Sequence, residues 1–156
     1  SGKAPLTFQM HTCYATEYKM NNSDSNTGGW ADCLLRTTGG FKIIRSKMPA
    51  EVVAALKAVT KRTTAGGASS AIDTTEDTLF LLSEIEVQGT RTHSYAGEGM
   101  QYVYYQTAAN RKKNRAWYLR SPRTNSTTCF CRTGWSGEAD WSVASEVDGI
   151  AAAWCF

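Results

Sequence analysis

Alternation opens the chain: in Leu6-Thr7-Phe8-Gln9-Met10 every second residue is large and apolar, the period of a half-buried strand. From Asn21 to Gly29 the turn formers Asn, Ser, Asp, Thr and Gly follow one another without periodicity and predict a loop, with a short helix from Trp30 to about Arg36. Helical spacing is clearest after Pro49, where Val52, Val53, Leu56 and Val59 make one apolar stripe and proline suits the first turn. The stretch Ala65-Gly66-Gly67-Ala68-Ser69-Ser70 reads as a flexible loop. Thr78-Leu79-Phe80-Leu81-Leu82 reads as a short buried strand, and Ser83-Glu84-Ile85-Glu86 fits a capping box that starts a helical turn. Tyrosine spacing in Gln101-Tyr102-Val103-Tyr104-Tyr105 favours helix over strand. From Trp117 onward, short strand-like runs alternate with turns that carry Gly and Ser. Helices first, small strands later and two strand-like ends suited to pairing define an α+β fold with small antiparallel sheets and two or more short helices.

Within the last part of the chain, two apolar ends enclose a polar segment. Trp117-Tyr118-Leu119-Arg120-Ser121-Pro122 opens it and Gly149 to Phe156 closes it, with Arg123 to Asp148 rich in Thr, Ser, Gly, Asp, Glu and Trp between them. A rigid frame carrying a chemically mixed loop region is how proteins display binding residues, so the pattern points to recognition rather than catalysis.

Composition narrows the picture. At 156 residues the chain fits one domain with a core that needs no staples. A net charge of +3 is too mild for a nucleic-acid partner. The dense basic run Arg111-Lys112-Lys113-Asn114-Arg115 reads as a solvated connection. No stretch approaches the ~20 apolar residues of a membrane span. Ser1-Gly2-Lys3-Ala4-Pro5 leads directly into the first strand, which predicts no signal peptide; the start without Met predicts a module of a larger protein. The five cysteines Cys13, Cys33, Cys129, Cys131 and Cys155 lack a Cys-x-x-Cys pair, and His11 and His93 have no ligand spacing to them. Cys129 and Cys131 are read as facing opposite sides of a strand. Buried thiols are expected and no metal, Cys155 in the closing strand being the one burial is most expected for, and a disulfide from Cys155 to another core strand stays open.

Asn21 with Gly28-Gly29-Trp30 and Arg36, then Val59-Thr60-Lys61, form the first part of an ordered motif set. Leu79-Phe80-Leu81-Leu82-Ser83-Glu84, Glu98-Gly99 with Gln101-Tyr102 and Tyr105, and Asn110-Arg111 continue it. Trp117 to Pro122 and the Gly149-to-Phe156 ending complete it. Over essentially the whole chain this resembles a domain-of-unknown-function family common in gut Firmicutes and their phages. The sequence departs from that pattern at Tyr118, usually a second Trp, and at Ala152, usually Pro. The resemblance implies a C-type-lectin-like fold on the formylglycine-generating-enzyme type of scaffold, forming a single domain over residues 1–156. It implies a ligand-binding module like those of phage tail fibres, bacterial surface proteins and retroelement-diversified variable proteins. The implied partners are a host-surface protein or glycan and neighbouring virion or surface-protein subunits. The implied location is the virion or the cell surface.

Catalysis needs a nucleophile beside a base, and His11 and His93 read as surface or satisfied histidines, so no catalytic residue and no cofactor are expected. The Glu-Pro-Asn, Gln-Pro-Asp and Trp-Asn-Asp motifs of calcium-dependent lectins are missing, and Ala65-Gly66-Gly67-Ala68 lacks the Lys-Ser/Thr of a phosphate loop. Trp30, Trp117 and Trp154 belong to the core, and Arg120 to a structural hydrogen-bond network. Trp135 and Trp141 flank the polar Ser136–Asp140 turn and are either hydrophobic pins or ligand platforms. The expected ligand-binding set is Arg132, Trp135, Glu138, Asp140 and Trp141, with Asn125 and Glu146 at its margin. Competing expectations are a structural domain that decorates a virion or caps an assembly, and an enzyme on the same scaffold.

Overall fold

A computed structural model describes residues 6–156. Ser1–Pro5, and the reading of no leader drawn from them, lie outside the described residues. Strand β1 (Thr7–Gln9) pairs antiparallel with the last strand, Ala153–Cys155, placing Phe8 opposite Trp154, so the two ends are neighbours as expected. Four short helices follow: α1 (Gly29–Asp32), α2 (Leu34–Thr37), α3 (Gly40–Ser46) and α4 (Ala50–Ala55). Strands β2 (Val59–Gly66) and β3 (Ser69–Asp77) make an antiparallel hairpin, then come α5 (Glu84–Gln88) and α6 (Val103–Gln106). Strands β4 (Trp117–Pro122), β5 (Cys129–Thr133) and β6 (Ala139–Val143) form a three-stranded antiparallel sheet in that order, and β7 (Ala153–Cys155) closes the chain. The class is mixed α+β, with small antiparallel sheets and several short helices.

Local signals that need no tertiary context were read correctly. Ser83 and Glu86 form the capping box at the start of α5, each side chain accepting from the other's backbone N–H. The tyrosine segment is helical at α6. Elsewhere the pattern misled. The stripe after Pro49 gives only the six residues of α4, none buried, because Leu56 turns extended and Val59 already belongs to β2. The helix expected from Trp30 to Arg36 is split at Cys33, whose backbone is extended. α3, which buries Phe41 and Ile44, was not foreseen. The glycine loop at residues 65–70 is the tip of the β2–β3 hairpin rather than a free loop. Gly66 has φ +71°, and a Cβ there would lie 1.8 Å from the Asn26 carbonyl oxygen, so the tip is seated directly on the Asn26–Gly29 turn. Leu79–Leu82 is buried beside a half-buried Thr78, but only Phe80 bridges, to Ala153, so the segment is no strand.

The core gathers Met20, Trp30, Leu35, Phe80, Leu81, Trp117, Leu119 and Phe130 from α1, α2, β4, β5 and the connections between elements. Trp30 and Trp117 are fully buried as expected, whereas Trp154 is half-buried against the core edge. Through it runs one polar network. Arg120, 1% exposed, pairs with Glu86 and donates to Thr63 Oγ1 at 2.9 Å, Leu81 O at 3.0 Å and Glu98 O at 2.8 Å. Lys61 approaches Glu86 from the other side at 3.2 Å. Burial alone would raise the Glu86 carboxyl, but Arg120 and Lys61 outweigh it and hold the group below its ordinary value. The basic run is no simple solvated connection: Lys113 is buried, Arg111 donates to Tyr105 O at 3.0 Å, and Arg115 faces Glu17.

All five cysteines are buried and free. Cys129 and Cys131, two apart on β5, share one face, and the opposite-face reading is corrected. Burial pushes the Cys13 thiol up to about 11, Cys33 to about 12 and Cys131 well above 9.0. These thiols ionise first in the unfolded chain, so the stability they hold below pH ~9 is lost as pH rises toward their folded values. Each contributes a fall of about 1.4 kcal/mol per pH unit. Lys113, lowered by burial to about 8, offsets one such group between about pH 8 and the ordinary lysine range. Urea titrations should therefore show stability falling between about pH 9 and 10.5, and mild reductant at pH ~7 should leave the melting temperature unchanged. Rising stability over that alkaline range, or melting upon reduction, would refute this account of the thiols.

Candidate functional site

β5, β6 and the turn between them carry the expected residues Arg132, Trp135, Glu138, Asp140 and Trp141, and the strand register decides which can act together. Arg132 lies opposite Asp140 and Phe130 opposite Ser142, while Cys131 lies opposite Trp141 and Cys129 opposite Val143. Cross-strand partners share a face and successive residues alternate, so Arg132 with Asp140 and Trp141 stand on opposite faces of the hairpin. Trp135 and Glu138 belong to the turn at its tip. The residues expected as one cluster therefore form two surfaces joined by that tip.

On the first face Arg132 donates to Asp140 Oδ2 at 2.7 Å and to Asp148 Oδ2 at 2.9 Å. Burial opposes the charge on Arg132, but the two carboxylates outweigh it and raise its pKa. Asp148 is raised because its burial outweighs the help of Arg132. Tyr118, where the resembling family usually has Trp, is fully buried and donates to the Val143 and Glu146 carbonyls at 2.7 and 3.0 Å. That bond fixes the turn on which the Glu146 side chain is exposed. This face is pre-ordered: its cation is already shared between two carboxylates, and only part of each group remains for a ligand.

The second face is aromatic. The guanidinium carbon of Arg123 sits 4.1 Å from the centre of the Trp141 ring, a cation–π pair that leaves Trp141 38% exposed. Arg123 is anchored through its backbone N–H to Cys129 O at 2.9 Å, and Thr124 N–H reaches His93 O at 2.7 Å. Asn125 is exposed, with φ +53°, and bonds the Tyr95 hydroxyl through both its N–H and its side-chain oxygen, each at 3.3 Å. Sequence reasoning missed Arg123 and Tyr95. An Arg at the start of a polar segment and a Tyr in a distant loop carry no local signal of meeting there.

At the tip Trp135 is 64% exposed. Glu138 holds the turn closed, its carboxylate accepting from Ser136 N–H at 2.9 Å and its carbonyl from Gly134 N–H at 2.9 Å. Neither tryptophan is a core pin. Glu84, singled out beside Glu86, is buried and accepts from the His93 and Ser94 backbone N–H groups and the Ser94 hydroxyl, so it ties down the loop after α5. Among the described residues no group of three or more His, Cys, Asp or Glu is placed to hold a metal ion, and no helix is long and apolar enough to cross a membrane.

This α+β frame with a displayed C-terminal hairpin falls within a recognised family. Residues 7–155 match the family described as Domain of unknown function (DUF6273), and the chain belongs to it. No curated protein and no solved structure gives a significant match.

Proposed function

We propose that the domain is a non-catalytic ligand- or receptor-binding module, displayed on a phage tail fibre or a bacterial surface protein. The observation that carries this reading is the aromatic display on the β5–β6 hairpin: Trp135 exposed at the tip and Trp141 stacked under Arg123. Tryptophan offers rigid apolar area at low entropy cost, and the neighbouring Arg132, Asp140, Glu138, Asn125 and Glu146 add oriented polar contacts. Such a mixture on an open surface suits a host-surface protein or glycan better than a deep small-molecule pocket.

The finer fold assignment, a C-type-lectin-like domain on the formylglycine-generating-enzyme type of scaffold, is part of the same proposal. It is supported by the paired termini and by the whole-length motif order. In this reading the loops from Arg123 to Asp148 are the variable part, and adenine-rich codons there beside a template repeat would mark retroelement diversification. Screening the domain against a glycan array and intact host cells tests the proposal. Saturable binding competed by a soluble ligand supports it, and no binding to any glycan or cell surface would favour a structural decoration domain.

A further inference from the structure

A cleft lies apart from the hairpin and shares no residue with it. It encloses about 380 Å³ between β1 and α6, lined by residues 7–11, Leu82, Tyr102, Tyr104, Tyr105 and Lys113. That volume sits at the small end of ligand pockets. Strand pairing explains why it is open. The backbone of Ala153 exchanges hydrogen bonds with Phe80, and Cys155 O accepts from Lys57, so β1 joins β7 through Phe8 and through Met10 N–H to Ala152 O at 3.0 Å. The backbone groups of Thr7 and Gln9 then turn away from β7. Their side chains meet tyrosines instead: Thr7 Oγ1 lies 3.3 Å from the Tyr102 hydroxyl, and Gln9 Oε1 accepts from the Tyr105 hydroxyl.

The cleft is aromatic and has no acidic residue in its lining. Its cation is Lys113, 9% exposed, whose Nζ donates to Met10 O at 2.8 Å and His11 O at 3.1 Å and lies 5.1 Å from the centre of the Trp117 ring. Among the described residues Lys113 takes part in no ion pair. A buried ammonium held only by carbonyl dipoles and a ring face lacks a countercharge. Tyr104 and Tyr105 meet edge to face with ring centres 5.1 Å apart, and Tyr104 is 52% exposed, so apolar ring surface stands free in the same cleft as that cation.

We propose that this cleft binds a small organic carboxylate with a flat apolar body, its carboxylate meeting Lys113 and its body lying against Tyr104 and Tyr105. Binding should then be tied to the Lys113 proton. Burial lowers that ammonium to about 8, so affinity falls as pH rises through that value. The other titratable groups facing it are His11, Tyr102, Tyr104, Tyr105 and Cys13; burial raises Tyr105 and puts Cys13 at about 11, so neither of these two titrates in that range.

Calorimetric titration of the domain with phenylacetate and with its neutral amide, phenylacetamide, tests this. Phenylacetate should saturate a single site at least about tenfold more tightly than the amide at pH ~7, and that advantage should shrink above pH ~8. Lys113→Met should erase the difference, and Tyr104→Ala, at a half-exposed wall, should weaken both ligands. If Lys113→Met fails to fold, the amide comparison and the pH profile of the unaltered domain decide alone. Equal affinity for acid and amide, or no saturation by phenylacetate up to about 10 mM, would overturn the proposal.

Discussion

Replacing Arg120 with methionine should cost about 3–5 kcal/mol of stability, the loss expected when one partner of a buried ion pair is removed. The guanidinium is fully desolvated, and its bonds join four separate parts of the chain: β2 at Thr63, the Leu81 segment, Glu86 of α5 and the Glu98 loop. Its loss leaves Glu86 with Lys61 as its cationic partner beside the Ser83 N–H, strands the Leu81 carbonyl, and leaves Glu98 O with the Ser83 hydroxyl. Because the two groups act as a unit, Arg120→Met combined with Glu86→Met should cost less than the sum of the single changes. Urea unfolding of the three variants measures both statements. A loss under ~1 kcal/mol for Arg120→Met would mean the network is held by other contacts.

Short-range chemistry was legible in the sequence and long-range burial was not. The capping box at Ser83 and Glu86 lies within four residues, and the pairing of the ends follows from two strand-like apolar runs, one alternating and one continuous. The β2–β3 hairpin was missed because its buried positions include Thr63 and Thr64, which show little hydrophobic contrast with their exposed neighbours. Thr64 is buried against Glu98, which accepts from both its N–H and its hydroxyl, a partner no local window reveals. Lys113 failed the same way: inside a basic run it reads as solvated, yet its amine is buried on carbonyls about a hundred residues earlier in the chain.

The candidate site shows the same division. The polar turn between Trp135 and Trp141 leaves them either core pins or displayed platforms, and only their exposure in the fold, 64% and 38%, decides for display. Which face each neighbour occupies depends on the pairing of Arg132 with Asp140 and of Cys131 with Trp141. A shift of one residue would have put Trp141 opposite Arg132 and turned Asp140 to the other face.

Under the proposed binding role, recognition of a surface protein or glycan should collapse when the two tryptophans are removed while the fold barely notices. Trp135 makes no ring pairing or side-chain hydrogen bond among the described residues, and at 64% exposure its loss should change stability by no more than about 0.5 kcal/mol. Trp141→Ala should cost about 1 kcal/mol, chiefly the stacked Arg123. Aromatic anchors at interface centres are worth roughly 2 kcal/mol or more each, so each single change should weaken binding about thirtyfold and the double change should abolish it. The direct measurement is equilibrium binding to the best glycan or cell-surface ligand, run beside urea unfolding on the unaltered domain and on Trp135→Ala/Trp141→Ala. The account predicts lost binding with nearly full stability; retained binding, or a loss of about 3–5 kcal/mol as for core truncations, would contradict it.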